Sequence, residues 1–343
     1  MTARSTADVL GRASGPDAGR VVHRARTLVA PALADAVATL HPWVAGMADY
    51  ALGREDGPSG PRQGKGVRQA LAVLGAELAG APASEGVPGA VAVELVHTFS
   101  LVHDDIMDGD SMRRGRPALW KEYGTGAAVL AGDALFALAV QTVGTAPAAV
   151  RRLSAALGDL VHGQADDLLF AHRPWTGPEG VTVEEYERMA ERKTGALLGC
   201  ALALGAHFGG ADEETASVLD RTGRHLGVAF QIADDLLGIW GDPRTTGKPV
   251  LGDLRQGKKT FPVLAALGTP YGTELSGLLA SGDESGAQRA ADLVAEAGGR
   301  EAALADARRH LAAADTLLDS IPSAPRPDAE LRALLVALSR RSV

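Results

Sequence analysis

Apolar residues recur along most of this 343-residue chain at the three- and four-residue spacing of an α-helix. They are mainly alanine, leucine and valine, and few stretches show the alternation of apolar and polar residues that is typical of strands. Because clusters of glycine and proline interrupt the pattern, we expect long helices joined by loops and packed as one large bundle. The pattern thus predicts an all-α fold, with breaks at residues 53–66, 173–180, 241–257, 268–272 and 322–327.

The beginning of the chain is less regular than the rest. Residues 1–18 are mostly polar and contain Gly11, Gly15 and Pro16, so they are predicted to form a flexible leader before a helix that begins near Val21. Neither an internal repeat nor a change in composition divides the remainder of the chain. Residues 19–343 are therefore expected to form a single helical domain.

One uncharged stretch, residues 194–211, is long enough to raise the question of a membrane span. It contains several glycines and His207, and aromatic residues do not flank it as they flank membrane-spanning helices. We therefore predict a buried core helix here, in a protein that is not membrane-spanning.

Charge and cysteine content narrow the class of protein further. With 34 Lys and Arg against 42 Asp and Glu the net charge is −8, which argues against a nucleic-acid partner because phosphate-backbone binding needs a basic surface. The single cysteine, Cys200, cannot form an internal disulfide, and Met1 is not followed by the charged and then apolar regions of a signal peptide. These features predict a protein of the reducing cytoplasm.

Three carboxylates cluster at the end of a predicted helix. Residues 97–108 have helical apolar spacing and end with Asp104, Asp105 and Asp108, which the helical repeat brings to one patch. Like charges at this spacing repel one another unless solvent or a divalent cation neutralises them. Carboxylate oxygens suit Mg²⁺, particularly when a substrate phosphate completes the site. Taken alone, such a cluster is equally compatible with a solvated acidic helix end.

A second acidic cluster favours a metal site over a solvated acidic helix end. Asp234 and Asp235 emerge from a strongly apolar helix, and Asp242 follows two turns later. Burying unpaired carboxylates in such a helix would cost several kcal/mol, so paired acidic residues there indicate a specific function. Two such helices facing each other would form a metal site in the core of the bundle.

Basic residues follow each acidic cluster. Arg113 and Arg114 come after the first cluster, and Lys248, Lys258 and Lys259 come after the second. Each alone would be an ordinary surface charge. Their recurrence beside the carboxylates indicates a diphosphate site, because metal ions alone cannot neutralise and orient all the oxygens of a diphosphate.

Together these motifs resemble those of one family. The sequence DDIMD followed by SMRRGRP within residues 104–117, and DDLLGIWGDP at residues 234–243, are similar to the aspartate-rich motifs of the trans-isoprenyl diphosphate synthases, the polyprenyl synthetase family. The second motif also resembles the actinobacterial branch, and the resemblance runs from about residue 21 to the C-terminus. Gly238 stands where the family has the last aspartate of its second DDxxD motif, so this pentad lacks one outer metal contact.

The resemblance implies a prenyltransferase that joins isopentenyl diphosphate to an allylic diphosphate, such as the dimethylallyl, geranyl or farnesyl ester. Catalysis would rest on electrostatic stabilisation of the departing diphosphate and on holding the two substrates close together. The resemblance also implies a homodimer and three Mg²⁺ ions bound with the substrate diphosphate. The implied metal ligands are Asp104, Asp105, Asp108, Asp234, Asp235 and Asp242.

Further roles are implied by the resemblance, position by position. The heptapeptide QGKGVRQ at residues 63–69 resembles the GGKxxRP motif of the family, with glutamine in place of its first glycine and of its proline. The implied contacts of isopentenyl diphosphate are Lys65, Arg68, His97 and Arg114. The implied contacts of the allylic diphosphate are Arg113, Lys193, Lys248 and Lys258. The implied catalytic residues are Lys193, Thr194 and Gln231, and the last two would flank the developing cation. Gln164 and Asp167 match a GQxxD pattern of the family to which the resemblance assigns no role.

Product length should depend on the depth of the apolar pocket below the first acidic cluster. Phe99 and Ser100 lie five and four residues before Asp104, where an aromatic ring can close the pocket and a serine leaves space. In the family this combination resembles geranylgeranyl diphosphate synthases, which indicates a C20 product, with the C15 farnesyl diphosphate as the shorter alternative. Phe99 is equally compatible with simple packing between helices.

Two other functions remain open from the sequence alone. A class I terpene cyclase would share the bundle and the first motif, but it would need an Asn/Asp-Ser-Glu metal motif and an aromatic cavity for migrating cations. The chain has only four Trp, four Tyr and six Phe, which favours linear elongation. A non-catalytic regulatory paralogue of the synthase is the second alternative, supported by Gly238 and by the altered loop around Lys65.

Overall fold

The computed structural model describes residues 17–54, 66–241, 251–281 and 286–339, and the described chain is helical apart from one two-stranded ribbon. The predicted all-α fold is confirmed. The ribbon pairs β1 (Met112–Arg113) with β2 (Arg116–Pro117). The first helices are α1 (Ala18–Ala38), α2 (Pro42–Leu52), α3 (Val67–Leu78), α4 (Val87–Met107), α5 (Leu119–Tyr123), α6 (Thr125–Val143), α7 (Pro147–His172) and α8 (Val183–Ala190). A π-helical segment (Glu191–Gly195) joins α8 to α9 (Ala196–Phe208), and the remaining helices are α10 (Glu213–Trp240), α11 (Gly252–Arg255), α12 (Phe261–Leu267), α13 (Gly272–Ser281), α14 (Gly286–Glu296), α15 (Gly299–Asp319) and α16 (Pro325–Ser339).

Several sequence predictions lie outside the described residues. These are most of the proposed leader, the loop around Lys65, and the predicted ligands Asp242 and Lys248. The first described helix begins three residues before the predicted start at Val21. Asp17 caps it, since its side chain accepts a hydrogen bond from the backbone N–H of Gly19 at 2.9 Å.

The centre of the bundle is α9, and every residue from Ala196 to Ala206 is buried. Glycines let its neighbours approach to backbone contact. A Cβ atom at Gly205 would lie 1.9 Å from the carbonyl oxygen of Ala72 in α3, and one at Gly223 of α10 would lie 2.5 Å from Gly199. The low aromatic content of the chain therefore reflects a core built from closely packed alanine- and glycine-rich helices.

Two long helices bring the acidic motifs to the middle of this bundle. Helix α4 packs against α3, α6 and α9, and α10 packs against α9, α15 and the π-helical segment. The first motif lies in the last turn of α4, and the second lies two turns before the end of α10. The packing against α9 therefore holds both acidic helix ends at one end of the core.

One described helix, α6, is long and apolar enough to cross a membrane by length and composition, with a mean hydropathy of 1.6. Residues 194–211, the uncharged stretch in the sequence, instead contain the buried helix α9, as predicted. In α6, 39% of the apolar window is buried, where the helix packs against α4. Its other face exposes Val129, Leu130 and Phe136.

Candidate active site

A cavity of about 420 Å³ opens between the ends of the central helices. Asp104 of α4 and Asp234 of α10 both line it, so the two acidic motifs do contribute to one site. The π-helical segment adds Lys193 and Thr194 to the wall. The cavity thus combines carboxylates, cations and apolar side chains in its lining. The remaining predicted residues that line it are Arg68, His97, Ser100, Arg113, Arg114, Gln164 and Gln231.

Asp104 is a partly buried carboxylate with two further carboxylates near it. Burial raises its pKa to about 6, and the carboxylates of Asp108 and Asp167 add to the rise, whereas Lys193 and Arg113 oppose it. Asp108 caps α4, and its backbone N–H donates to the carbonyl oxygen of Asp104 at 2.8 Å. A hard divalent cation at this place would relieve the repulsion, and carboxylate oxygens are its preferred ligands. The residues therefore fit Mg²⁺.

Asp105, a predicted metal ligand, is already bound by protein. The guanidinium of Arg113 donates to it twice through Nε, at 2.8 Å to Oδ1 and 3.1 Å to Oδ2, and again through Nη2 to Oδ1. Asp105 is buried and lines a small neighbouring pocket beside Tyr50. Its role in this structure is to orient Arg113, which reaches the central cavity.

Asp235 is likewise occupied by hydrogen bonds from protein groups. It accepts hydrogen bonds from the hydroxyl of Tyr186 at 2.5 Å, the backbone N–H of Phe261 at 3.0 Å and the Nε2 of Gln231 at 3.2 Å. Burial raises its pKa to about 7, and the neighbouring Asp253 carboxylate adds to the rise. Asp235 therefore ties α8, α10 and α12 together, and Asp234 is the member of the pair that faces the cavity.

Three arginines, Arg68, Arg113 and Arg114, also line the cavity. The Nε of Arg68 is buried and has no hydrogen-bond partner among the described residues. Burial lowers the pKa of Arg68 to about 10, although Glu94 and Asp234 oppose the change. Burial also lowers the pKa of His97 well below its usual value, and Arg68, Arg114 and Arg113 add to that effect. A neutral imidazole near the unpaired Nε donor of Arg68 is suited to receive an anionic oxygen.

The π-helical segment positions Lys193 and Thr194, two of the predicted catalytic residues. Lys193 forms an ion pair with Asp167, with Nζ 2.5 Å from Oδ2. The hydroxyl of Thr194 donates to Oε1 of Gln231 at 2.8 Å. The irregular turn can approach α7 because of Gly163, where a Cβ atom would lie 2.3 Å from the backbone nitrogen of Lys193. Single π-helical turns of this kind are frequent at functional sites.

The two predicted chain-length residues occupy different places. Ser100 lines the cavity, close to the apolar side chains of Leu160, Leu198 and Phe230 that also line it. Phe99 packs with its ring centroid 5.4 Å from that of His103 and 5.7 Å from that of Phe136, and it is not among the described residues of the cavity wall.

Lys258 is exposed in the loop after α11 and is also outside the described cavity wall. Sequence reasoning missed Glu94, a buried carboxylate that lines the cavity next to the arginines. The unusual placement of an acidic residue within the apolar run of α4 was the available signal.

A separate group of carboxylates and histidine lies on α8 and α15. Possible ligand atoms of Glu187, Asp306 and His310 lie within 4.8 Å of one another. The guanidinium of Arg309 already pairs with Glu187 at 3.0 Å and with Asp306 at 2.6 Å. This group is therefore neutralised by protein, and none of its members lines the cavity described above.

A helical bundle whose central cavity sets acidic helix ends against buried cations defines the class of metal-dependent enzymes that act on diphosphate esters. The sequence model of the polyprenyl synthetase family matches residues 58–296. The chain is 40% identical to the (2E,6E)-farnesyl diphosphate synthase of Mycobacterium tuberculosis, over 96% of this chain and 97% of that protein. It is 42% identical to the geranylgeranyl diphosphate synthase of the same organism, over 93% of this chain and 92% of that protein.

Solved structures support membership of the same family. The crystal structure of polyprenyl synthetase from Streptomyces coelicolor A3(2) superposes with a TM-score of 0.86 at 45% identity, covering 94% of this chain and 99% of that one. The chain therefore belongs to the polyprenyl synthetase family, as the motifs predicted. It is a prenyltransferase, and the family to which it belongs is Mg²⁺-dependent.

Proposed function

We propose that this protein condenses isopentenyl diphosphate with an allylic diphosphate to form a linear trans-polyprenyl diphosphate, and that C20 geranylgeranyl diphosphate is its main product. The observation that carries the proposal is a single cavity lined both by the carboxylates of Asp104 and Asp234 and by Arg68 and His97. Two anionic substrates need two differently charged sites, one with metal ligands and one with cationic donors. The similarity to both a farnesyl and a geranylgeranyl diphosphate synthase supports this range of product lengths.

The metal-facing side would bind the allylic diphosphate. Asp104 and Asp234 would hold the Mg²⁺ ions, three by analogy with the family, with Asp108 close to Asp104. When bound, Mg²⁺ supplies positive charge that stabilises the diphosphate as it leaves. Lys193 lines the same cavity and would add a further positive charge, oriented by Asp167. Arg113, fixed by Asp105, would contact the same leaving group.

The cationic side would hold the second substrate. Arg68 presents a buried donor without a partner among the described residues, and a diphosphate oxygen would satisfy it. Arg114 and the neutral His97 line the same wall and would complete the contacts of isopentenyl diphosphate. Holding this substrate fixed places its double bond near the allylic carbon, so much of the rate acceleration is an effect of orientation.

The hydroxyl of Thr194 and the amide of Gln231 would lie beside the developing allylic cation. Their mutual hydrogen bond of 2.8 Å, and that from Gln231 to Asp235, fix the direction of their oxygens. The new carbon–carbon bond leaves a positive charge on the product, and loss of one proton to the released diphosphate restores neutrality. No protein nucleophile is needed for this sequence.

The proposed function is tested with radiolabelled isopentenyl diphosphate, Mg²⁺ and each allylic primer in turn. Linear products of up to twenty carbons are expected. Cyclic hydrocarbon formed from a single allylic diphosphate would identify a terpene cyclase, and absence of turnover with every primer would identify the non-catalytic paralogue.

We predict that Ser100→Phe shortens the product. The side chain of Ser100 lines the cavity beside apolar neighbours, so a phenyl ring there would fill space that the growing chain needs. Chromatography of dephosphorylated products should show the main product shorter by at least one isoprene unit. Ser100→Ala, which adds no volume, should leave product length unchanged, and an unaltered distribution for Ser100→Phe would contradict a role of this wall in length control.

We also propose that the protein is a homodimer of the cytoplasm and does not span the membrane. Two neighbouring helices expose apolar stripes. On α6, Leu130 is 48% and Phe136 40% exposed, and on α7, Val161 and Leu169 are 59% and 61% exposed. A second copy of the chain would cover both stripes across a two-fold axis.

Leu130→Glu should therefore dissociate the dimer. A two-fold interface brings the substituted residue into the contact twice, so one substitution buries two charges and should raise the dimer dissociation constant by about 100-fold. Sedimentation velocity at micromolar concentration would detect the monomer. Tyr271→Glu, at an exposed aromatic residue outside both stripes, should remain dimeric, and a Leu130→Glu variant that is still dimeric would contradict this interface.

A further inference from the structure

The two-stranded ribbon after the first acidic motif closes with a two-residue turn formed by Arg114 and Gly115. Arg113 pairs with Arg116 across the ribbon, and both turn residues have positive φ, 52° for Arg114 and 76° for Gly115. A hairpin turn with two positive φ values favours asparagine and glycine, because the Cβ atom of most other residues is crowded in the left-handed region. Arg114 therefore occupies a conformation that its own side chain disfavours.

The position of Arg114 is not secured by its own burial. The residue is exposed at the tip of the ribbon, although it lines the active-site cavity. Backbone strain at a functional residue persists only where the surrounding structure holds it. The support for this conformation therefore has to come from the two strands beside the turn.

Each strand of the ribbon has its own anchor. Arg113 anchors β1 through its hydrogen bonds to Asp105. Arg116 anchors β2, because its guanidinium carbon lies 3.6 Å from the ring centroid of Tyr50 in α2 and its Nη2 donates to the backbone carbonyl oxygen of Tyr50. A cation over an aromatic face, combined with a charged hydrogen bond, is a strong contact. The second strand is thereby fixed to α2.

Tyr50 also holds the residue after Arg116. Its hydroxyl donates to the backbone carbonyl oxygen of Pro117 at 2.8 Å, and its ring packs edge to face against Tyr123 of α5, with the centroids 5.5 Å apart. We call Tyr50, Arg116 and Pro117 the ribbon latch. The latch therefore contacts two successive residues of β2 from one aromatic side chain.

The latch and the Asp105 contact meet next to the turn. Arg113 and Arg116 are paired across the ribbon, so each strand is held at the residue adjoining the turn. One small pocket is lined by Tyr50, Asp105 and all three arginines, including Arg114. The direction of Arg114 toward the cavity follows from these two anchors.

We propose that Tyr50 and Arg116 are positioning residues for isopentenyl diphosphate, and that they act by holding Arg114 in its left-handed conformation at the cavity. Neither Tyr50 nor Arg116 is among the described residues of the cavity wall, so their effect passes through Arg114. The inference rests on the proposed function, in which Arg114 contacts that substrate. A guanidinium that is already held in place does not have to be ordered when the substrate binds.

The first test is Arg116→Met, which keeps a long side chain and removes the guanidinium. We expect the KM for isopentenyl diphosphate to rise about tenfold, the lower end of what loss of one charged hydrogen bond gives. The kcat and the KM for the allylic diphosphate should stay within about threefold of the original. Arg116→Lys keeps a cation over the Tyr50 ring and should give an intermediate KM. A merely structural role would lower the melting temperature without separating the two KM values.

Arg300→Met is the matched control. Arg300 is an exposed residue of α15 whose guanidinium carbon also lies near an aromatic ring, 5.7 Å from the centroid of Trp240. This variant should change neither KM. A rise in the KM for isopentenyl diphosphate equal to that of Arg116→Met would overturn the proposal, because the effect would not be specific to the latch.

The second test measures whether the effect passes through Arg114. Arg114→Asn removes the cation and places at the turn a residue that tolerates positive φ, so it should raise the KM for isopentenyl diphosphate without lowering the melting temperature. Adding Arg116→Met to Arg114→Asn should change that KM by less than about twofold. Two rises that multiply would show that Arg116 acts independently of Arg114 and would overturn the proposal.

If Arg116→Met does not fold, Tyr50→Phe decides. This variant keeps the ring and removes the hydroxyl that donates to Pro117, so the KM for isopentenyl diphosphate should rise about threefold, and an unchanged KM overturns the proposal. The original protein separates this outcome from failure of the proposed function. If the original protein does not incorporate isopentenyl diphosphate, the proposed function itself fails. If it does and Arg116→Met has an unchanged KM, only the role of the latch fails.

Discussion

Asp104→Asn is expected to lower kcat by about 10³-fold, because it removes a charged ligand from the ion that stabilises the leaving diphosphate. Asp104 lines the cavity, and burial together with Asp108 and Asp167 raises its pKa to about 6. A neutral amide of the same size relieves that repulsion, so the metal-free variant should be at least as stable as the original protein. Steady-state kinetics at saturating Mg²⁺ and thermal melting without Mg²⁺ measure the two effects.

Two other carboxylates serve as comparisons for Asp104→Asn. Asp234→Asn should have a similar effect on kcat, since Asp234 lines the same cavity. Asp292→Asn serves as the control for removal of an acidic charge from an exposed helix. A kcat for Asp104→Asn within about threefold of the original would mean that this residue does not bind the catalytic ion.

Arg68→Gln is expected to raise the KM for isopentenyl diphosphate by about 10- to 100-fold, because charged hydrogen bonds of this type contribute about 1.5–3 kcal/mol. The KM for the allylic diphosphate should change far less, since that substrate is expected to bind through Mg²⁺ at Asp104 and Asp234. The unsatisfied Nε of Arg68 is the structural basis of the prediction. Kinetics with each substrate varied separately would distinguish the two sites.

Arg68→Lys tests whether charge or geometry matters at this position. An ammonium keeps the charge but loses the planar donor fork, so an intermediate KM is expected. Arg289→Gln, at an exposed ion pair with Glu274 and Glu296, is the matched control. A larger rise in the KM of the allylic substrate than in that of isopentenyl diphosphate would contradict the assignment of the two walls.

The sequence was sufficient to predict the bundle and the convergence of its two acidic motifs. The helical spacing of small apolar residues predicted the all-α fold, which is confirmed. The two acidic motifs indicated one site, and Asp104 and Asp234 do line one cavity. These predictions succeeded because they depend on periodicity and on the cost of burying charge, both of which are local properties of the sequence.

The sequence could not assign separate roles to the paired aspartates. Adjacent residues of a helix point about 100° apart, so the two members of a pair meet different neighbours. Which one faces the cavity depends on tertiary partners, and here Arg113 binds Asp105 whereas Tyr186 binds Asp235. Arg113 follows the first aspartates closely, but the sequence does not show which of them it binds, and Tyr186 lies 49 residues before Asp235.

Two other features depend on contacts that are distant in sequence. The π-helical turn at Glu191–Gly195 is possible because Gly163 of α7 leaves space for the backbone of Lys193. The place of Asp253 against Gly238 likewise appears only when α11 is packed on α10. In both cases the sequence shows an isolated glycine, and the structure shows which neighbour fills the space.

The most direct test of the central claim is a crystal structure with Mn²⁺ in place of Mg²⁺ and a bisphosphonate in place of the allylic substrate. Anomalous scattering should show metal ions between the carboxylates of Asp104 and Asp234, in contact with the bisphosphonate. Carboxylates that bind no ion while the bisphosphonate occupies the cavity, or an ion found only at Glu187, Asp306 and His310, would contradict the account.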